Sequence, residues 1–311
     1  MSLTELDGLL AGRVPARAIG MLRLGEMPGG SAIDVPYTVV RGEPGPTVWV
    51  MAARDGDEVH ASLVAMGLQR ALDPGAVRGT VVVMPIGNVP GFGVLSREHP
   101  LAPTYLESQM DDRFFDVISE RGGRFVDLHS AGVPSDTVDW TLFVDGDETG
   151  VAMARAYGSP FVYEHRMGGG EGPDPGLLDG ALFVRLSQGG VPSILIEAGG
   201  GLPPSPATVD RGFDGVWNVL RTLGTIDEEP VATAAPRVLH GFRIVTPSRG
   251  GFFEDGVALG EEVAVGQRLA TVVDAHGEVV EEILAPAAGV VLTVPVNPAA
   301  GTGTWAYEIG W

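Results

Sequence analysis

Residues 48–60 read VWVMAARDGDEVH, and the change of character inside this stretch decides the fold. Val48 to Ala53 is a continuous apolar run of the kind that forms a buried strand. Asp55-Gly56 halts it, and a helical pattern begins near Glu58. A central strand that hands over to a helix through polar residues sits at the carboxyl edge of a sheet, where open α/β folds bind ligands. Asp55 and Glu58 are three apart across a tight turn, so their carboxylates can converge on one point, and Gly56 lets the backbone turn sharply. The same residues would also suit an acidic loop capping a helix N-terminus.

Outward from that stretch, residues 17–25 and 32–41 alternate as strands around the turn Pro28-Gly29-Gly30. Val59, Leu63, Met66 and Leu72 fall at roughly helical spacing, which predicts a helix over 59–72. GTVVVMPIGN (79–88) is a further buried strand, closed by Asn88, Pro90 and Gly91. Residues 93–112, with Arg97 and His99, show no clear period and read as a long functional loop before a short helix over 113–121. RFVDLHS (124–130) and PSILIEAGG (192–200) are apolar strands ending on His129 and Glu197. Helices are predicted over 152–157, 176–188 and 207–223. The alternation implies right-handed crossovers and a mostly parallel or mixed sheet with helices on both faces.

The domain organisation expected is 1–228 for this α/β part, a Pro/Ala-rich linker at 229–237, and a small all-β barrel-like domain over 238–311, where short β-prone runs alternate with Gly and Pro. Hydrophobic residues make up 44% of the 311, ample for two cores. A net charge of −20 argues against nucleic acid or an anionic membrane as partner. No apolar run reaches membrane-spanning length, the first residues lack the basic-then-apolar form of a signal peptide, and there is no cysteine. A soluble cytoplasmic protein acting on a small molecule is the expectation, with an oligomer left open.

Taken in order, IDVPYTVVRGEPGPTVWVMAA (33–53), the acidic turn, NVPGF (88–92), DDRFF (111–115), VDLHS (126–130) and VPSILIEAGG (191–200) resemble the succinylglutamate desuccinylase/aspartoacylase family of the zinc-carboxypeptidase group. LGEEVAVGQRLATVVDAHGEVVEEILAPAAGVV (259–291) looks like that family's lipoyl/biotinyl-like β-barrel. The resemblance implies a deacylase that cleaves a linear amide with a metal-activated water. Glu58 and His129 match ligand positions, and Glu197 matches the glutamate that activates the water. Arg113 matches a substrate-gripping arginine, and Arg97 an oxyanion-steadying one. Asn88 is placed with the substrate-binding residues. The sequence departs from the family twice: the first ligand histidine falls on Asp55, and the asparagine beside Arg113 falls on Asp112.

Asp is a legitimate zinc ligand, so Asp55, Glu58 and His129 can still hold an ion. Two carboxylates and one imidazole make a harder donor set that suits Mn2+ or Fe2+ better than the family's set does, at some cost in Zn2+ affinity. His60 is a rival imidazole, and Asp55 could instead pair with Arg54, which would give a metal-free binding protein. Ester or lactone chemistry on the same site is a further alternative. Asp112 would repel a substrate carboxylate, pointing to an amine or neutral group there. Every basic residue is arginine, so the barrel-like domain has no lysine to carry biotin or lipoate.

Overall fold

The computed structural model describes residues 3–12, 14–27, 29–98, 103–168 and 177–311. In chain order, α1 (Leu3–Ala11) leads into β1 (Ala16–Glu26), β2 (Ala32–Arg41), β3 (Glu43–Ala52), α2 (Val59–Ala71) and β4 (Arg78–Met84). Then come α3 (Val89–Phe92), α4 (Pro103–Arg121), β5 (Arg124–His129), β6 (Ser135–Thr137), β7 (Trp140–Val144) and α5 (Glu148–Tyr157). The α/β part closes with β8 (Phe161–His165), α6 (Leu182–Gln188), β9 (Ser193–Glu197), α7 (Pro206–Thr222) and β10 (Arg237–Leu239).

One mixed sheet runs β1-β2-β4-β3-β5-β9-β7-β8-β10. Its centre, β4-β3-β5-β9, is parallel, so these strands deliver their carboxyl ends to one edge. In register, Ala52 lies beside Leu128, and His129 beside Glu197. The alternation within each strand sorts the core into two layers. Trp49, Met51, Phe125 and Leu195 face one side with Phe114 and Phe183. Val48, Val50, Val126 and Ile194 face the other with Val64, Leu68 and Val216.

The remainder folds as two antiparallel sheets. One joins Phe242–Val245, Tyr307–Gly310, Gly289–Pro295 and Glu262–Val263; the other joins Val279–Leu284, Arg268–Val273, Gly251–Glu254 and Ala299–Ala300. Leu269, Val272, Ile283, Val291, Tyr307 and Ile309 fill the space between them. The two parts are stitched together. β6 pairs with the 289–295 strand, Thr137 opposite Thr293, while β10 extends the large sheet alongside β8.

Two expectations need correction. Residues 103–112 are not loop: α4 runs unbroken from Pro103, a residue tolerated in a first helical turn. Its apolar stripe, Met110, Phe114, Val117 and Ile118, starts too far along the chain to show a period upstream. In α2 the buried face is His60, Ala61, Val64, Ala65 and Leu68, and Met66 lies outside. Small residues face inward because α7 approaches so closely that a Cβ on Gly212 would sit 2.8 Å from Val64 Cγ2.

Candidate metal and hydrolase site

The site begins where β3 ends. Ala53 takes a left-handed φ of 47°, uncommon for a residue with a Cβ and typical of backbone held by its surroundings. Here the hold is visible, because Ala53 O accepts from Asn88 N and Ala52 O from Gly87 N, each at 2.8 Å. The kink carries Arg54 and Asp55 over the sheet edge. Gly56 follows where nothing larger fits, since a Cβ would lie 2.3 Å from Gly91 C and 2.5 Å from Ser96 O. Gly56 N donates to Arg97 O at 3.0 Å, so the turn and the Arg97 segment fix each other.

The turn sets Asp55 and Glu58 against His129 at the end of β5, and all three are buried. His129 Nδ1 is 3.1 Å from Glu58 Oε2 and 3.4 Å from Asp55 Oδ2. Three ligands about 2.1 Å from a tetrahedral ion are themselves about 3.4 Å apart, so the spacing suits a shared cation. The far side of the ring is also prepared. His129 Nε2 is 3.1 Å from Asp127 Oδ1, two residues back on the same face of β5, within ion-pair range though outside hydrogen-bond geometry, so that a carboxylate backs the ring as it does behind many metal-binding histidines. Ser130 N donates to Glu58 Oε2 at 3.2 Å and steadies that carboxylate. The residues present therefore fit a divalent ion in number, donor type and spacing.

Arginines balance part of the negative charge. Arg97 Nη2 lies 2.8 Å from Asp55 Oδ2, its Nη1 3.6 Å from Glu58 Oε1, and its guanidinium 4.8 Å above the Trp305 ring. Arg54 is 3.8 Å from Asp55 Oδ1 but bonds Asp111 Oδ2 at 2.8 Å, so Asp111 rather than Asp55 is its main partner. Burial alone would raise Asp55; Arg97 and Arg54 outweigh it and hold the carboxyl well below the usual range. Glu58 is pushed up to about 7, chiefly by burial, with His129 opposing and the charge of Asp55 adding. Burial would lower His129, but Glu58 and Asp127 hold it well above the usual imidazole value. Glu197 is raised strongly by burial and then by the charge of Glu58.

A cleft with two lobes opens over this cluster. One lobe, about 350 Å³, is lined by Glu58, Ser130 and Glu197 on the sheet side and by Thr293, Trp305 and Glu308 opposite. The other, about 370 Å³, holds Arg54, Asp111, His129 and Trp140 with the apolar Leu142, Leu195, Phe242 and Ile244. Arg97, Glu197, Trp305 and Glu308 border both lobes. The C-terminal sheets thus form one wall of the cleft.

Of the residues singled out in the sequence, the structure brings together Asp55, Glu58, His129, Glu197 and Arg97. It does not bring Asp112 or Arg113 to either lobe. Asp112 is exposed and paired with Arg185 of α6 at 2.7 Å. Because α4 is continuous helix, the residue turned to the cleft is Asp111, and the basic group there is Arg54. Asn88 is fully buried; its Oδ1 accepts from Gly91 N at 3.0 Å, and its Nδ2 donates to Arg97 O at 3.3 Å. It shapes the loop beside the site. His60 Nε2 accepts from Ser205 N at 3.0 Å and so secures the start of α7. His165 closes on Asp179 at 3.0 Å, and His99 lies outside the described residues. Sequence reasoning missed Arg54 as a cleft residue, along with Asp127, Trp305 and Glu308; of these, only Asp127, at i−2 from a ligand histidine on a strand, had a readable spacing.

The family model of the succinylglutamate desuccinylase/aspartoacylase catalytic domain matches residues 44–106, the segment that builds the acidic turn. By this match and by its fold the chain is similar to succinylglutamate desuccinylase/aspartoacylase-type enzymes, hydrolases acting on amide bonds. Among curated proteins, the chain is 27% identical over 272 residues to an N-alpha-acetyl-L-2,4-diaminobutyric acid deacetylase from Halomonas elongata, covering 78% of this chain and 75% of that one. In structure it is similar to the product-bound ectoine utilization protein EutE (DoeB) from Ruegeria pomeroyi, with a TM-score of 0.81 at 22% identity over 97% of this chain and 96% of the other. A succinylglutamate desuccinylase/aspartoacylase from Rhodobacter sphaeroides superposes with a TM-score of 0.79 at 22% identity, covering 96% of each chain. No helix among the described residues is long and apolar enough to cross a membrane.

Proposed function

We propose that the protein is a metal-dependent deacylase that hydrolyses the amide bond of an N-acylated small amine or amino-acid derivative. The observation that supports this most is the set of Asp55, Glu58 and His129 at the edge of the central strands, spaced for one cation and backed by Asp127. The Halomonas relative, a deacetylase of an acylated diamino acid, fits the same reading. In this scheme Asp55, Glu58 and His129 hold Zn2+, or equally Mn2+ or Fe2+ given the two hard carboxylates. When bound, such an ion polarises the scissile carbonyl and lowers the pKa of a coordinated water.

The chain supplies the rest. Glu197, at the neighbouring strand end and raised by burial, takes a proton from the attacking water and returns it to the leaving nitrogen, giving a carboxylic acid and an amine. Arg97 stands on the ligand carboxylates with half its side chain still exposed to the cleft, where its free N–H groups can meet developing negative charge on the carbonyl oxygen. Arg54, held by Asp111, faces the second lobe and takes the positioning role that the sequence suggested for Arg113.

The test is metal analysis of the purified chain with assays on N-acetylated amines, before and after chelation and after return of Zn2+, Mn2+ or Co2+. One bound ion per chain, with activity lost and restored alongside it, is the expected result. A second reading, a metal-free binding protein, draws on the Arg97–Asp55 contact, which already neutralises one ligand. An ion-free, inactive chain under excess metal would favour it.

A further inference from the structure

The cleft has a chemical asymmetry that the metal scheme leaves unexplained. Its lining carries six carboxylates, Asp57, Glu58, Glu98, Asp111, Glu197 and Glu308, against the guanidiniums of Arg54 and Arg97. Glu58 belongs to the ion, Glu197 to the proton transfer and Asp111 to Arg54, which leaves Asp57, Glu98 and Glu308 facing the space a substrate would enter.

Glu308 is the carboxylate with no assigned task. It sits on the wall opposite Glu197, in strand Tyr307–Gly310, and borders both lobes. Thr293 Oγ1 donates to its Oε2 at 2.7 Å and fixes its orientation. Among the described residues no arginine or histidine makes an ion pair with it. Two further groups lining the same lobe have a side-chain oxygen with no hydrogen-bond partner: Asp57 Oδ1 and Ser130 Oγ, on residues 8% and 1% exposed. Unsatisfied buried oxygens beside an unpaired carboxylate are what a cation-donor ligand would complete.

We propose that Glu308 is a specificity residue that receives a protonated amine of the substrate, so that the acyl compounds favoured at this site carry a free ammonium group besides the amide. Thr293 holds the carboxylate ready, and the ammonium donates to the other oxygen. The indole of Trp305, 4.8 Å from the Arg97 guanidinium, lines both lobes beside Glu308. The proposal takes from the deacylase reading only the location of the reacting centre.

The test uses the zinc-loaded protein and two probes, 2,4-diaminobutyrate and norvaline, which has a methyl group where the first has its side-chain ammonium. Isothermal titration reads the subsite without requiring turnover. The native protein should bind the diamine about tenfold to a hundredfold more tightly, the size of a charge-assisted hydrogen bond in a partly buried site. Glu308→Gln should leave norvaline binding unchanged and remove most of that preference. Equal binding of the probes by the native protein, or an undiminished preference in the variant, overturns the proposal. Rates on the Nα-acetyl forms separate it from the hydrolase reading. Preference for the diamine without any hydrolysis keeps the subsite and removes the deacylase; hydrolysis with the preference untouched by E308Q does the reverse. If E308Q does not fold, Glu308→Asp, which keeps the charge but withdraws it by one methylene, should weaken the preference, and an unaltered preference is again fatal.

Discussion

Arg97 meets Asp55 and its turn at two points: its guanidinium lies 2.8 Å from Asp55 Oδ2, and its own carbonyl takes the N–H of Gly56, the next residue along. One arginine therefore sets the charge of the acidic turn and its shape. Arg97→Gln removes the charge while leaving the backbone link. Because the side chain is 45% exposed, the fold should hold, and kcat should fall about 10²–10³-fold, the cost of losing one oxyanion donor. Steady-state kinetics with a melting curve would check both halves.

Asp127 sits behind His129 and touches neither lobe. Asp127→Asn should weaken metal affinity about 10–100-fold through loss of orientation and ligand basicity. Competition with a chromogenic chelator measures this directly. An unchanged affinity would detach Asp127 from the site.

His60 is a structural residue here, since its Nε2 is occupied by Ser205 N. His60→Phe keeps the bulk and removes the acceptor, leaving a backbone donor unpaired. The expected cost is about 1–3 kcal/mol in urea unfolding, with metal stoichiometry unchanged. A variant that loses its metal but not its stability would reverse this assignment.

Arg113 lines neither lobe, whereas Arg54 lines the second. Arg113→Ala should leave kcat/KM within about threefold, while Arg54→Ala should raise KM by tenfold or more. Comparing the two variants on one substrate decides which arginine positions it.

Glu281 gives the C-terminal sheets an acid limb. Burial would raise its pKa, but the hydrogen bonds it accepts from Ser248 N at 2.9 Å and Arg249 N at 2.9 Å, with that from the Ser248 hydroxyl, together outweigh burial and lower it. A carboxyl lowered on folding contributes stability that is fully present above its unfolded value of 4.5 and is lost as pH falls through the lower folded value. Glu281→Gln should therefore flatten the acid end of the stability–pH curve and leave the limb above neutrality alone. Denaturant melts from pH 3 to 8 would show it.

The parallel centre of the sheet and the three strand ends at Asp55/Glu58, His129 and Glu197 were legible in sequence, because buried parallel strands are written as unbroken apolar runs that stop on polar residues. Arg97 was legible by resemblance. The positions of Arg54 and Asp111 were not. Which side of α4 faces the cleft depends on where that helix begins, and its first turns lack an apolar period. Glu308 was out of reach for another reason: it comes from a sheet more than 100 residues away along the chain, and the pairing of β6 with the 289–295 strand, together with β10 beside β8, brings it over the site.

That pairing has a consequence for how the cleft can change over evolution. Thr137 stands opposite Thr293, and Thr293 orients Glu308. A slip of this pairing by one residue would move Thr137 away from Thr293, while Thr293 stays opposite Glu308 through the pairing of their own two strands. Selectivity in this protein can therefore drift by substitution on the distal wall while the strand pairing that carries the wall stays as it is.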